Sequence, residues 1–500
     1  MTSTAVPPKG DATSKATRLL CAGTYLDPGY RKSVIRELLT NRFRVVAPSY
    51  GYDAVPVLAH ALAAERLRRT QASIVAGGAV VLLVLMYAGL LDPSIGVLLF
   101  LWLLWGAAYL RRIATLQALV TRLRPQRGAG GFDGDYPDTS RLTAELVAKI
   151  HRQQTADENM VLFGDYTPFV GAGVGVDGWA NTELLIGAPV NVLEKRISRP
   201  VPDPSEPEGA LERKQVKPFT VADITAYVTD HMTRQLRDEA VEGEQIQGLT
   251  IERQTYRTAN QVPDGASGGA SSGTDTAARP EQNREKERDY LCVRVGSWDQ
   301  ELVTSMFVRF DRQGDTLHTE FYTYVLTPII ESFHLVDLLP ATVDGPLMRR
   351  VAWHVLKGAP GVAFRALGRL LLRLVPRRRS RGRKLRQEET SQFGLDRYAV
   401  RAVNTGALTS VREMAMSDDL SLFFQAADRT KYMQIVQRRL LQIIGTFLAE
   451  NNVDLHEHNA HQTNILNQTI GDKASFGSGN VSYDNQGQLT QGDNSSIGKE

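Results

Sequence analysis

Two charge-free apolar runs lie almost back to back in this chain, Ala72–Leu91 and Ile95–Leu110, separated by Asp92-Pro93-Ser94. Twenty helical residues rise about 30 Å, the thickness of a bilayer's hydrocarbon core. The pattern predicts a two-helix transmembrane hairpin near the N-terminus. The alternative, a helical hairpin inside a soluble core, rarely shows two adjoining uncharged runs of this length. The second run is the shorter, so it needs thinner bilayer or must borrow Pro93 and the residues after Leu110. Aspartate is costly in hydrocarbon and proline breaks helices, which puts the turn at the far interface. Tyr87, Trp102, Trp105 and Tyr109 are the expected interface anchors. Small residues, Ala76, Gly77, Gly78 and Ala79 facing Gly96 or Gly106, favour close approach of the two helices.

Orientation follows from the flanks. Arg66, Arg68 and Arg69 precede the first run, and Arg111, Arg112, Arg122, Arg124 and Arg127 follow the second, while the turn carries no basic residue. The positive-inside rule then predicts a multi-pass protein of the plasma membrane with both termini cytoplasmic. Only two cysteines, Cys21 and Cys292, are present. That number excludes a disulfide framework and a zinc site built on cysteine pairs, and it suits a reducing cytoplasm.

The fold class expected is α+β: the hairpin, a cytosolic antiparallel-sheet domain with packed helices, a helical C-terminal region and a flexible tail. Boundaries fall at 1–71 (N-terminal cytosolic helical region), 72–110 (hairpin) and 111–158 (juxtamembrane helices and Gly-rich linker). The α+β domain takes 159–346, with disordered loops near 200–217 and 261–287. Arg18–Tyr25 reads as a short strand or turn, Tyr30–Asn41 and Val55–Arg69 as helices, the latter running into the membrane. Asp27, Arg31, Arg42, Arg44 and Asp53 read as solvated surface and ordinary ion pairs rather than as a polar site. Ser140 or Thr143 caps the next helix. Val221–Glu239 repeats apolar residues at helical spacing behind Thr220, a good N-cap. Tyr290–Val295, Glu301–Phe310 and Thr316–Leu326 alternate as strands of a sheet covered on one face, followed by a helix at Thr327–Val336. Arg294, Arg309, His318 and Glu320 read as a cross-strand salt-bridge cluster rather than a catalytic set.

Between Met160–Phe163 and a short strand at Thr182–Ile186 lies a glycine-rich stretch containing Gly171, Gly173, Gly175 and Trp179. A phosphate-binding loop needs a helix opening directly after its glycines, and here Asp177-Gly178-Trp179 and a β-like run follow. The reading is a β-turn or bulge, with these four residues kept as the candidate ligand-binding set. The run Tyr166-Thr-Pro-Phe-Val-Gly-Ala-Gly173 with Trp179, then Tyr290-Leu-Cys-Val-Arg-Val295, and the stretch from Phe423-Phe424 to Asp454 resemble an uncharacterised family of bacterial two-pass membrane proteins with a large cytosolic domain. That resemblance implies a membrane protein and implies no activity, cofactor or substrate.

The net charge of +3 conceals an asymmetry: 347–386 holds thirteen Lys and Arg and no Asp or Glu, leaving the rest of the chain acidic. Arg365, Arg369 and Arg373 recur every four residues and so form one helical stripe, followed by Arg377, Arg378 and Arg379. This is the composition of a helix on an anionic lipid surface; the bland alternative is a helix packed on the domain with its arginines solvated. No recognition motif or interleaved aromatics accompany the arginines, so nucleic acid is not the favoured partner. In 387–463, Thr409–Met416 and Leu420–Ala427 read as helical, and Asp428 caps a helix at Arg429–Glu450. The seam of that helix predicts intramolecular core, with a homo-oligomer through Arg429–Glu450 as the alternative. His456-Glu-His458-Asn-Ala-His461 lacks the spacing of a zinc protease and reads as a polar helix end. Residues 464–500 are a Gly/Asn-rich tail. No catalytic residue, metal or cofactor is assigned. The function expected is a membrane protein with a cytosolic sensory, regulatory or scaffolding domain. The alternatives are an oligomerising membrane-acting effector and a tethered enzyme with a site near Gly171–Trp179.

Overall fold

Four of the early helices begin where a side-chain oxygen takes up a free backbone N–H: Ser14, Asp27, Asp53 and Asp92 accept from Thr17, Gly29, Val55 and Ser94. The helices they start are α1 (Lys15–Leu26), α2 (Pro28–Ile35, wound on by a π turn to Thr40), α3 (Ala54–Tyr87) and α4 (Pro93–Arg122). The structure is a computed structural model and describes residues 10–41, 44–125, 132–156, 159–190, 213–240, 245–259, 287–340, 343–357, 405–417 and 422–471. The expectations for Arg365, Arg369, Arg373, Arg377, Arg378 and Arg379, for 261–286 and for the end of the tail therefore lie outside the described residues.

Arg18–Tyr25 is helix, not strand. Ala16 to Thr24 are all buried, the polar Thr17, Arg18 and Thr24 among them, so burial in α1 does not follow the polar and apolar pattern of its sequence. Gly23 lets the ring of Phe333 lie against the α1 backbone, where a Cβ would come within 2.2 Å of it. α1, α2, the first half of α3, the end of α4 and α5 (Ala144–Gln154, capped by Thr143) share one apolar core, to which Phe333, Val336, Val411 and Ala415 also contribute. Beyond that core α3 and α4 run on as two helices long and apolar enough to cross a membrane, their apolar windows 0% and 11% buried within the chain. Between them Gly78 faces Leu103 and Gly96 faces Met86, so small residues receive large ones instead of meeting each other.

The sheet contains β1 (Met160–Phe163), β2 (Val174–Leu184), β3 (Leu249–Thr258), β4 (Glu287–Ser297), β5 (Leu302–Gln313) and β6 (Thr316–Leu326), in the order β1-β3-β4-β5-β6-β2. β1 runs parallel to β3 and every other pair is antiparallel, so the sheet is mixed rather than purely antiparallel. β2 is also longer than Thr182–Ile186: it begins at Val174 and takes in Trp179, with a bulge between Gly175 and Asp177. The expected helix after β6 is a 3-10 segment, Glu331–Leu338. The remaining helices are α6 (Val221–Thr233), α7 (345–357), α8 (Phe423–Glu450) and α9 (His456–Gly471). α8 starts at Phe423, ahead of the cap expected at Asp428, and Thr409–Met416 holds only a 3-10 turn at Glu413–Ala415.

Both faces of the sheet are covered, which corrects the one-sided reading. Leu291, Val293, Val295, Met306, Val308 and Phe310 pack beneath α6 and α8. On the opposite face Phe169 sits amid Tyr256, Tyr290, Phe307, Tyr322 and Tyr324, stacked on Phe307 at 4.0 Å and within 5.7 Å of the other four rings. A strand buried on both sides loses its polar alternation, as Tyr290 to Val295 do.

Candidate functional site

Where the N-terminal helices meet the base of the apolar pair, a cavity of about 480 Å³ opens between α1, α2, α3, α4, the 3-10 segment and α7. Its walls carry Arg31, Arg68, Arg111, Arg112 and His354 beside Leu67, Leu116, Leu119 and Val351, and among the described residues no carboxylate lines it. The sequence places these cations without design by any motif. Arg68 lies on α3 a few residues before Ala72, and Arg111 directly follows Leu110. Antiparallel helices of a hairpin bring those two ends to the same depth.

Among the described residues, Glu65 supplies the carboxylate that pairs with part of this cluster. Glu65 lies 2.9 Å from Arg68, 3.4 Å from Arg69 and 3.5 Å from Arg31. Arg31 is only 5% exposed and also donates from Nη1 to the Thr24 carbonyl at 3.2 Å. Burial lowers the Arg31 pKa from its ordinary value, and the nearby Arg68 and Arg111 push the same way against the pull of Glu65. Positive charge is therefore in excess here, the condition under which a site gains most from an anion. α7 closes one side, held to α4 by the Trp105 indole N–H donating to the Ala352 carbonyl at 3.4 Å, with Trp105 stacked on Tyr109 at 5.5 Å. Trp353 and Leu356 on α7 stay exposed, with the Lys357 ammonium 5.3 Å from the Trp353 ring. The start of the basic segment thus lies beside the apolar helices.

The glycine-rich stretch is placed elsewhere. Gly171 and Gly173 adopt φ of +91° and +92°, and both N–H groups donate to Oε1 of Glu413, at 2.8 and 3.0 Å. Two amides from alternate residues point at one oxygen and form an anion nest, and the chain's own carboxylate occupies it. The second oxygen of Glu413 accepts from Ser410 N–H at 2.7 Å. Gly175, second in β2, lies against Tyr324, and Trp179 stacks on Phe321 at 5.3 Å. Glu413 carries no sequence signal that links it to glycines 240 residues away; only the fold pairs them.

Other polar residues resolve into local tasks. Asp27 and Asp53 are helix caps, and Arg44 pairs with Glu37 at 2.7 Å. Arg31 and Asp53 are buried, so solvated surface does not describe them. Arg42 lies outside the described residues. Arg309 and His318 do gather on Glu320, at 3.0 and 3.6 Å. Arg294 makes a separate cross-strand ion pair, with Glu252 at 3.3 Å, and donates to Gln254 at 2.8 Å and the Tyr50 hydroxyl at 2.9 Å, its guanidinium 4.1 Å above the Tyr50 ring. His458 is buried between Glu183, 2.9 Å from Nδ1, and the Leu441 carbonyl, 3.1 Å from Nε2. Burial opposes its charge, but the hydrogen bond to Glu183 raises its pKa on balance.

The seam of α8 that the sequence left open to self-association is filled within the chain by the sheet and α6; Leu422, Phe423 and Phe424 at its start remain exposed. No curated protein and no solved structure matches this chain. A family model does, over residues 179–485, from Trp179 through the sheet and α8 and short of both apolar helices. That span covers more than half of the sequence, and the chain belongs to the AbeC-like domain family.

Proposed function

We propose that this is an integral membrane protein in which α3 and α4 cross the bilayer and hold a cytosolic AbeC-like domain at the inner face, where it regulates or scaffolds. One observation carries the reading: the apolar residues of both helices face outward, Val80, Leu83, Leu98 and Trp102 each more than half exposed, while the arginine-flanked bases are rooted in the N-terminal core. A continuous apolar surface of this extent needs a partner, and hydrocarbon fits its length and absence of charge. The positive-inside rule supports placing both termini in the cytoplasm.

The test is carbonate extraction of membranes combined with reporter fusions. The chain is expected to stay in the pellet, with reporters at either terminus active in the cytoplasm and a reporter inserted at Ser94 silent there. Release into the carbonate supernatant, or reporters at the two termini on opposite sides, defeats the reading. A second reading, an oligomer that acts on the membrane, is favoured by the exposed Leu422, Phe423 and Phe424. It predicts that Phe423→Ser/Phe424→Ser lowers the mass of the detergent-purified particle, measured by light scattering. An unchanged mass removes it.

A further inference from the structure

We propose that the cavity at the base of α3 and α4 binds the phosphate of an anionic phospholipid, a reading that rests on the membrane insertion proposed above. Three features point to this occupant. The first is depth: Arg111 directly follows the apolar run of α4 and Arg68 closely precedes that of α3, which puts both guanidiniums at headgroup level. The second is the chemistry of the walls. Four arginines line a cavity that no carboxylate lines among the described residues, and planar guanidiniums take up phosphate oxygens in pairs. The third is the mixed lining, in which Leu67, Leu116 and Val351 present apolar surface beside the charges. A free phosphate has no use for that surface, whereas the glycerol and first methylenes of a lipid do. The volume, about 480 Å³, falls within the range of small-molecule sites.

Glu65 already offsets Arg31, Arg68 and Arg69, so Arg111 and Arg112 are the residues whose charge a lipid would answer. The bound lipid would join α4 to α7 and α2 and so fix the cytosolic domain to the membrane surface by a ligand as well as by the chain.

The experiment is native mass spectrometry of the detergent-purified full chain, offered phosphatidylglycerol or phosphatidylcholine with the same acyl chains. One phosphatidylglycerol is expected to stay bound about tenfold better than phosphatidylcholine, a difference that Arg111→Gln/Arg112→Gln abolishes. The charge-matched variant Arg66→Gln/Arg124→Gln, outside the cavity, is expected to keep it. Equal retention of the two lipids, or equal losses from both double variants, overturns the site. Displacement of the lipid by inorganic phosphate alone assigns the site to a soluble phosphate and overturns the lipid. Carbonate extraction of the same preparations keeps the two proposals apart: a chain that pellets but does not discriminate between lipids sinks the site alone, and one that does not pellet sinks the membrane reading.

Discussion

Glu413 shows how a single side chain can fix a loop. Its carboxylate is the acceptor for Gly171, Gly173 and Ser410, three backbone donors that would otherwise be left without a partner. Glu413→Ala is expected to lower stability by about 2–3 kcal/mol, read as thermal denaturation in detergent; a loss below about 0.5 kcal/mol would show that water replaces the carboxylate freely. At Gly173 the cause is steric. A Cβ there would lie 2.2 Å from the Val325 carbonyl oxygen, at a φ that L residues avoid, so Gly173→Ala should cost at least about 2 kcal/mol by the same assay. His334 sets a pH dependence. Hydrogen bonds to Asp337 and Glu301 outweigh burial and lift its pKa to about 9. Burial would raise the Asp337 carboxyl, but His334 and Arg18 hold it down to about 2. A raised histidine contributes stability that is complete below its unfolded pKa of about 6.5 and is lost as pH climbs through 9. The depressed aspartate contributes above its unfolded value and loses that contribution as pH falls toward 2. Melting temperature is therefore expected to decline from pH 6.5 to 9.5 in the native chain and less steeply in His334→Gln. Parallel profiles would assign the slope to other groups, of which His458 is the nearest in kind.

At the scale of elements, what the sequence disclosed depended on whether an element has a wet side. α6 was legible to its first residue: Thr220 and Asp223 form a capping box, and Ile224, Val228 and Met232 bury one stripe. β6 was legible at both ends, Thr316 and Leu326, because its turns are polar. α1 was not, since its short run is buried on every side, Thr17, Arg18 and Thr24 included, and a short apolar run does not distinguish helix from strand. The second cover of the sheet was equally hidden. Nothing local in Tyr166–Gly173 says that Phe169 will meet five aromatic rings from four strands, because those rings are spread from Tyr256 to Tyr324. The candidate cavity divides in the same way: Arg68, Arg111 and Arg112 were visible as flanks of apolar runs, but Leu335, Val351 and His354 reach it only through tertiary packing. Phe169 is the element's weak point. Phe169→Ala should cost about 3–5 kcal/mol, and hydrogen exchange should rise first in β3 and β4 beneath it; exchange unchanged there would mean that the loop covers the sheet without holding it.

Across the whole molecule, the N-terminal helices and the sheet are joined by a segment that comes late in the chain. Between 405 and 417 the backbone pairs in turn with Val45, with Leu162 and Gly164 of the β1 edge, and with Pro328 and Ile330 after β6. Arg412, fully buried, donates to the Tyr50 carbonyl at 2.9 Å in the middle of this strap. Val411 and Ala415 belong to the core of the N-terminal helices, while α8, which follows, supplies Val436, Leu440, Ile443, Ile444, Phe447 and Leu448 to the core of the sheet. A chain ended at Lys357 would keep both apolar helices and all six strands, yet it would lose a lining from each core. Six large buried side chains at roughly 1.5–3 kcal/mol each exceed about 9 kcal/mol, comparable with the whole stability of an ordinary domain. On the membrane reading proposed above, such a chain is expected to reach the bilayer through Ala72–Leu110 but to be digested by added protease back to the apolar pair. Co-expression of residues 401–500 as a separate chain should restore resistance in the strands, since the strap and α8 make their contacts non-covalently. Strands that resist protease without the second chain would show that the sheet is sufficient alone and that the strap only positions it; strands that stay sensitive with it would show that α8 must be delivered by the covalent chain.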